Sequence, residues 1–160
     1  MTYTILVVDD QADERDAMAD LLERGHYAVE SAGNGREAVD RLRNGTALPS
    51  LVLLDLNMPV MDGWEFLSHV AQDDLLRLVP VVVVSGSPIV QDSPLVPSNV
   101  TFMAKPVRPE VIIDVIARML QPAAMARATT ARVQTVIPID DIDTERYVVP
   151  PARSLVVQRP

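Results

Sequence analysis

Leu51-Val52-Leu53-Leu54-Asp55-Leu56-Asn57-Met58-Pro59-Val60-Met61-Asp62-Gly63 decides how this chain is read. Four apolar residues run without a break into an acid, and turn-forming residues follow. Three other stretches repeat the plan. Ile5-Leu6-Val7-Val8 runs into Asp9-Asp10, Val81-Val82-Val83-Val84 into Ser85, and Val100 to Ala104 into Lys105-Pro106. Short leucine and β-branched runs that do not alternate with polar residues read as strands buried on both faces of a parallel sheet. In an open α/β sheet, ligands bind outside the carboxyl ends of the strands. Three carboxylates, one hydroxyl and one ammonium are therefore expected at one sheet edge, and all three groups serve phosphoryl chemistry.

Helical patterns separate the strands. A helix is expected from about Asp13 to Arg24, with Met18, Leu21 and Leu22 inward and Gly25 placed to end it. Tyr27 to Ser31 reads as a second strand. Gly33-Asn34-Gly35 turns into a short helix with Ala38, Val39 and Leu42 inward. Beyond Gly63 a third helix places Phe66, Leu67 and Val70 inward. The last helix starts near Pro109, a favourable first helical residue, and Val111, Ile112, Val115, Ile116 and Met119 follow at helical spacing. This alternation predicts an α/β, doubly wound, five-stranded parallel sheet. Right-handed crossovers favour strand order 2-1-3-4-5.

The same motifs resemble the receiver domain of two-component response regulators, over about residues 1 to 122. Asp9-Asp10, the block Asp55-Leu56-Asn57-Met58-Pro59 with Asp62-Gly63, then Ser85-Gly86, then Lys105-Pro106 occur in the family's order and near its spacing. The resemblance implies a flavodoxin-like receiver fold and a Mg²⁺ ion bound by Asp10 and Asp55, by Asp9 through water, and by the backbone carbonyl of Asn57. It implies Asp55 as phosphoacceptor, Lys105 and Ser85 on the phosphoryl oxygens, and Ser85 with Phe102 as the switch pair. The implied partners are a histidine kinase or histidine phosphotransfer protein and a downstream protein target, with homodimerisation as a further option.

Taken singly, each residue has a plainer reading. An Asp pair after a strand is a common helix-start signal, Asp55 could be a turn residue, and Ser85-Gly86 a strand exit. Those readings must all hold together to remove the site. His26 and His69 lack partners at ligand spacing and read as surface or half-buried packing residues.

Composition adds bounds. The chain has 160 residues, 48% of them apolar and only six aromatic, so its core is aliphatic. With no cysteine it has no disulfide or thiolate metal site. No stretch reads as a signal peptide or membrane span, and a cytoplasmic protein is expected. Residues 1–122 carry 18 acidic and 9 basic side chains, and such an acidic domain repels phosphate backbones, so nucleic acid is not an expected partner. Thirteen of the 14 cationic residues are Arg; the single Lys is Lys105. A compact ammonium on a flexible stem suits a phosphoryl oxygen where a planar guanidinium would crowd it.

Two regions depart from the family pattern. Pro94 and Pro97 interrupt the segment between Ser85 and Val100, so an irregular turn is expected in place of a fourth helix. Residues 123–160 form a C-terminal extension too short for a separate effector domain, with apolar clusters Val136-Ile137, Tyr147-Val148-Val149 and Leu155-Val156-Val157 between prolines. Such clusters can dock or add to a sheet edge. The reading is thus a non-enzymatic, phosphorylation-dependent signalling switch. One alternative is an adaptor with a vestigial site. Another is an aspartate-dependent phosphohydrolase, which typically carries a second Asp two residues after its nucleophile; here Asp9 and Asp10 are adjacent and residue 11 is Gln.

Overall fold

The structure, a computed structural model, describes residues 2–86 and 99–121 and the backbone of Tyr147–Val148. Strands β1 (Thr4–Val8), β2 (Ala28–Ala32), β3 (Leu51–Leu54), β4 (Val81–Ser85) and β5 (Val100–Ala104) are the expected apolar runs. They pair in parallel in the order β2-β1-β3-β4-β5. Helices α1 (Ala12–Arg24), α2 (Gly35–Asn44), α3 (Gly63–Ala71) and α4 (Pro109–Leu120) connect or follow them. A two-residue strand β6 (Tyr147–Val148) extends this sheet, pairing antiparallel with β5 at Met103 and Phe102.

The unbroken apolar runs divide by strand periodicity between two cores. Leu6, Val8, Val52, Leu54, Val81 and Val83 face one side, with Ala38, Val39 and Leu42 of α2 and Phe66, Leu67 and Val70 of α3. Ile5, Val7, Leu51, Leu53, Val82 and Val84 face the other, with Leu22 of α1 and Ile112, Val115, Ile116 and Leu120 of α4. A sheet covered on both faces has no polar side to supply, which is why its sequence does not alternate.

Helix starts are set by local hydrogen bonds. Asn34 caps α2 through Oδ1, which accepts from the Glu37 N–H at 2.9 Å. Asp62 caps α3 in a reciprocal capping box with Glu65. At the end of α1 the left-handed residue is His26, with φ 65°, while Gly25 keeps φ −78°. The expected stop is present, but the unusual backbone angle falls one residue later. His26 is exposed and His69 half-buried, as their sequence context suggested. The expectation of an irregular fourth helix falls within residues 87–98, outside the described residues, as do Val136-Ile137 and Leu155-Val156-Val157. Among the described residues no helix is long and apolar enough to cross a membrane.

Candidate functional site

Sheet register brings four strand ends level. Leu54 pairs with Val8 on one side and with Val83 on the other, and Ser85 pairs with Ala104. Backbone hydrogen bonds carry the register one residue past the strands. The Asp9 N–H donates to the Ala32 carbonyl at 3.1 Å, the Asp55 N–H to Val8 at 2.9 Å, and the Lys105 N–H to Ser85 at 2.9 Å. The side chains that follow the apolar runs thus leave the sheet at one edge.

Carboxylate oxygens of Asp9, Asp10 and Asp55 lie within 4.8 Å of one another. Asp10 is exposed, while Asp9 and Asp55 are buried. One oxygen of Asp9 accepts the Gln11 N–H at 2.8 Å, and the Asp9 carbonyl accepts from the Arg15 guanidinium at 2.7 Å. Oδ1 of Asp55 is buried and, among the described residues, accepts no hydrogen bond. Lys105 Nζ stands 4.0 Å from that oxygen and 3.8 Å from Oδ2 of Asp9. Its close contact is elsewhere: Nζ donates to Oε2 of Glu14 at 2.6 Å. The Lys105–Pro106 peptide bond is cis.

The electrostatics follow from that crowding. Burial pushes the Asp55 carboxyl above its ordinary pKa; Lys105 pulls it back, and the Asp9 charge adds to the rise. Burial raises Asp9 as well, against the Gln11 hydrogen bond and the Lys105 charge. Burial disfavours the Lys105 ammonium, but the Glu14 hydrogen bond with the Asp55 and Asp9 charges outweighs it, and its pKa lies above the usual lysine value.

The loop behind Asp55 is fastened at both ends. The Gly63 N–H donates to the Leu56 carbonyl at 2.9 Å, and the Gly35 N–H to the Met61 carbonyl at 3.0 Å. Met58 and Met61 are buried, while Val60 is exposed at φ 71°. The Met61 N–H donates to the Pro59 carbonyl at 2.9 Å, so Pro59 to Met61 make a γ-turn about Val60.

Asp9, Asp10, Asp55, Ser85 and Lys105 all lie at this edge. Ser85 is fully buried at the end of β4. Asn57 follows Asp55 by two residues in the loop. Phe102 is buried on β5, its ring centroid 5.9 Å from that of Trp64. Sequence reasoning did not find Glu14, whose partner is 91 residues away. Its only sequence signal is its place in the first turn of the helix after the acid pair. Beside Lys105 a groove opens between α1 and α4, lined by Met18, Leu21, Val107 and Ile112.

A parallel 2-1-3-4-5 sheet with an acid cluster at its carboxyl edge and a lysine just past the last parallel strand defines a receiver. The family model described as response regulator receiver domain matches residues 5–117, and the chain belongs to that family. Among curated proteins, the two-component response regulator ORR7 of Oryza sativa subsp. japonica is 31% identical over 126 residues, covering 73% of this chain and 56% of the relative. Response regulator Rre1 of Synechocystis is 29% identical over 141 residues, covering 83% of this chain and 59% of the relative. The match to the sensor histidine kinase CheAY of Helicobacter pylori is 29% identical and spans 74% of this chain but 15% of that protein. This chain therefore spans less than two thirds of each of these three relatives. Among solved structures, the chemotaxis response regulator CheY4 of Vibrio cholerae superposes with a TM-score of 0.65 at 27% identity, covering 75% of this chain and 100% of that one. The phosphorylated cyanobacterial phytochrome response regulator RcpA superposes with a TM-score of 0.64 at 27% identity, covering 78% and 97%.

Proposed function

We propose that this receiver is a phosphorylation-dependent switch that takes a phosphoryl group onto Asp55 from a histidine kinase or histidine phosphotransfer protein. The observation that carries the reading is the buried Oδ1 of Asp55, with no hydrogen-bond donor on it among the described residues and with the Asp9 and Asp10 carboxylates inside 4.8 Å. Charges gathered this closely fit a hard cation. Receiver domains bind Mg²⁺ at such an acid cluster, and an all-oxygen donor set suits that ion. Here Asp10 and Asp55 would hold it directly and Asp9 through water, with the backbone carbonyl of Asn57. When bound, Mg²⁺ offsets the charge of the phosphoryl oxygens and of the carboxylates around them.

The protein's own groups do the rest. An oxygen of Asp55 attacks phosphorus; the new O–P bond forms as the donor's bond to phosphorus breaks, and the leaving group keeps that electron pair. Lys105, already 4.0 Å from Asp55, supplies a positive charge to a phosphoryl oxygen. Ser85 supplies a hydroxyl from the adjacent strand. Phe102 lies two residues before Ala104, the β5 partner of Ser85, and is already inward here. The inward turn expected of a switch residue when Ser85 moves is therefore already made in this state, and the ring holds that position in the phosphorylated one. Its ring lacks the phenol oxygen of a tyrosine, so burial strands no polar group. The apolar groove between α1 and α4 gives a donor protein a place to dock beside Lys105.

The output is contact with a downstream protein in the cytoplasm, without turnover of a small-molecule substrate. Incubation with Mg²⁺ and a small acyl phosphate, followed by mass mapping, is expected to place one phosphoryl group on Asp55. Full labelling of an Asp55→Ala variant at another carboxylate would overturn the assignment. Continuous phosphate release without a labelled protein would favour the hydrolase, and no reaction at all the vestigial adaptor.

A further inference from the structure

Three helices in this fold carry Glu at the third helical position, and two of them turn it back onto the chain that enters the helix. Glu37 accepts the Gly33 N–H at 2.8 Å and Glu65 accepts the Asp62 N–H at 3.2 Å, each closing the start of its own helix. Glu14 holds the equivalent place in α1 and does not turn back. The N–H it would take, that of Gln11, is already bonded to Oδ1 of Asp9. Glu14 reaches instead across the sheet edge to Lys105 at 2.6 Å.

We propose that Glu14 is a positioning residue that holds Lys105 in reserve, so that phosphorylation of Asp55 requires the ammonium to pass from Glu14 to the phosphoryl group. The inference rests on Asp55 being the phosphoacceptor. Lys105 is nearer Glu14 than Asp55 by more than an ångström, at 2.6 against 4.0 Å. An ammonium donating its short hydrogen bond to Glu14 gives the phosphoryl oxygen only what it can surrender there. Glu14 also adds a fourth carboxylate to the edge that a dianionic donor must approach. Both effects act in the same direction: Glu14 slows charging of Asp55 and lowers the phosphorylated fraction reached at a given donor concentration.

The half-exposed Glu14 can be changed to Gln without disturbing the core or shortening the side chain. Glu14→Gln is expected to raise the rate constant for labelling by a small acyl phosphate about two- to five-fold, the range that partly exposed ion pairs support. The gap from wild type should narrow at high salt, because the effect is electrostatic. Glu14→Asp keeps the charge on a shorter stem and should fall between the two. A second readout separates this role from helix capping. With labelled lysine the protein gives one lysine side-chain signal, from Lys105. That signal should differ between wild type and Glu14→Gln before phosphorylation and converge after it. A labelling rate in Glu14→Gln within 1.5-fold of wild type, or a lysine signal that Glu14→Gln does not move, overturns the inference while Asp55 labelling stands. No label on Asp55 in either protein overturns the phosphoacceptor reading and this one with it.

Discussion

Replacing Gly63 with Ala adds one methyl group at the point where α3 meets the end of β3. A Cβ built there lies 2.7 Å from the Asp55 carbonyl oxygen, 2.7 Å from the Leu56 Cα and 2.8 Å from Leu56 Cδ2. Ordinary contact begins near 3.4 Å, so the backbone on one side must retreat by several tenths of an ångström. Two of the three atoms are backbone, which no rotamer change can move. Overpacking of this kind costs about 1–3 kcal/mol, and stretching the Gly63 N–H bond to Leu56 adds up to about 1 kcal/mol more. A helical Gly-to-Ala change with free space would instead gain up to about 1 kcal/mol. The expected result is a loss of about 3 kcal/mol, read by urea unfolding, with a fall in melting temperature of roughly 10 °C. Because the displaced atoms belong to Asp55 and Leu56, Asp55 labelling should slow by at least about tenfold. Gly86→Ala is the control, since among the described residues no heavy atom lies within 4 Å of its added Cβ. Stability of Gly63→Ala within about 0.5 kcal/mol of wild type, or an equal loss at Gly86→Ala, would refute the crowding argument.

The raised carboxyl pKa values of Asp9 and Asp55 mean that the folded, metal-free protein holds protons more tightly than the unfolded chain. Stability should therefore fall as pH rises from near 3.8 through the raised values, and Asp55→Asn should stabilise the metal-free protein by about 1–3 kcal/mol. A flat profile across that window, or a destabilised Asp55→Asn, would contradict the burial argument. Val60 is a β-branched residue at φ 71° with its side chain in solvent. Val60→Gly should gain about 1 kcal/mol in urea unfolding, and a loss would show that the turn is not strained. Deleting residues 123–160 uncovers the edge of β5 that β6 pairs. Faster amide exchange in β5 and concentration-dependent association are expected, and unchanged exchange would remove the role given to Tyr147–Val148.

The strands and the strand-end site were legible because each rests on a local signal. An unbroken apolar run marks a strand covered on both faces, and parallel pairing then sends the residue after each run to a common edge. Asp9, Asp55, Ser85 and Lys105 needed nothing further. The helix faces were legible for the same reason: Ala38, Val39, Leu42, Phe66, Leu67 and Val70 all lie in the core at the spacing read from the sequence. What could not be read depends on competition between partners. Glu14 bonds Lys105 because Asp9 has taken the N–H that Glu14 would otherwise close upon, and periodicity carries no trace of that. Gly25 ends α1 as read, but the left-handed turn falls on His26, because Tyr27 donating to Leu22 at 3.1 Å and His26 donating to Glu23 at 2.9 Å wind the chain one residue further.

Arginine supplies every cation in this chain but one. Beyond the terminal amine, a reagent that seeks primary amines therefore has a single side chain to attack, and it stands 4.0 Å from Asp55. Fluorophore esters and amine-coupled sensor surfaces will leave the exterior largely untouched: conjugation falls on the terminal amine or, where alkaline conditions free the side-chain amine, on Lys105. Acylation there converts an ammonium into a neutral, bulkier amide in the middle of the acid cluster. Binding work on this protein is then better anchored through guanidinium chemistry or an added tag, because conjugation at Lys105 would report on a silenced molecule.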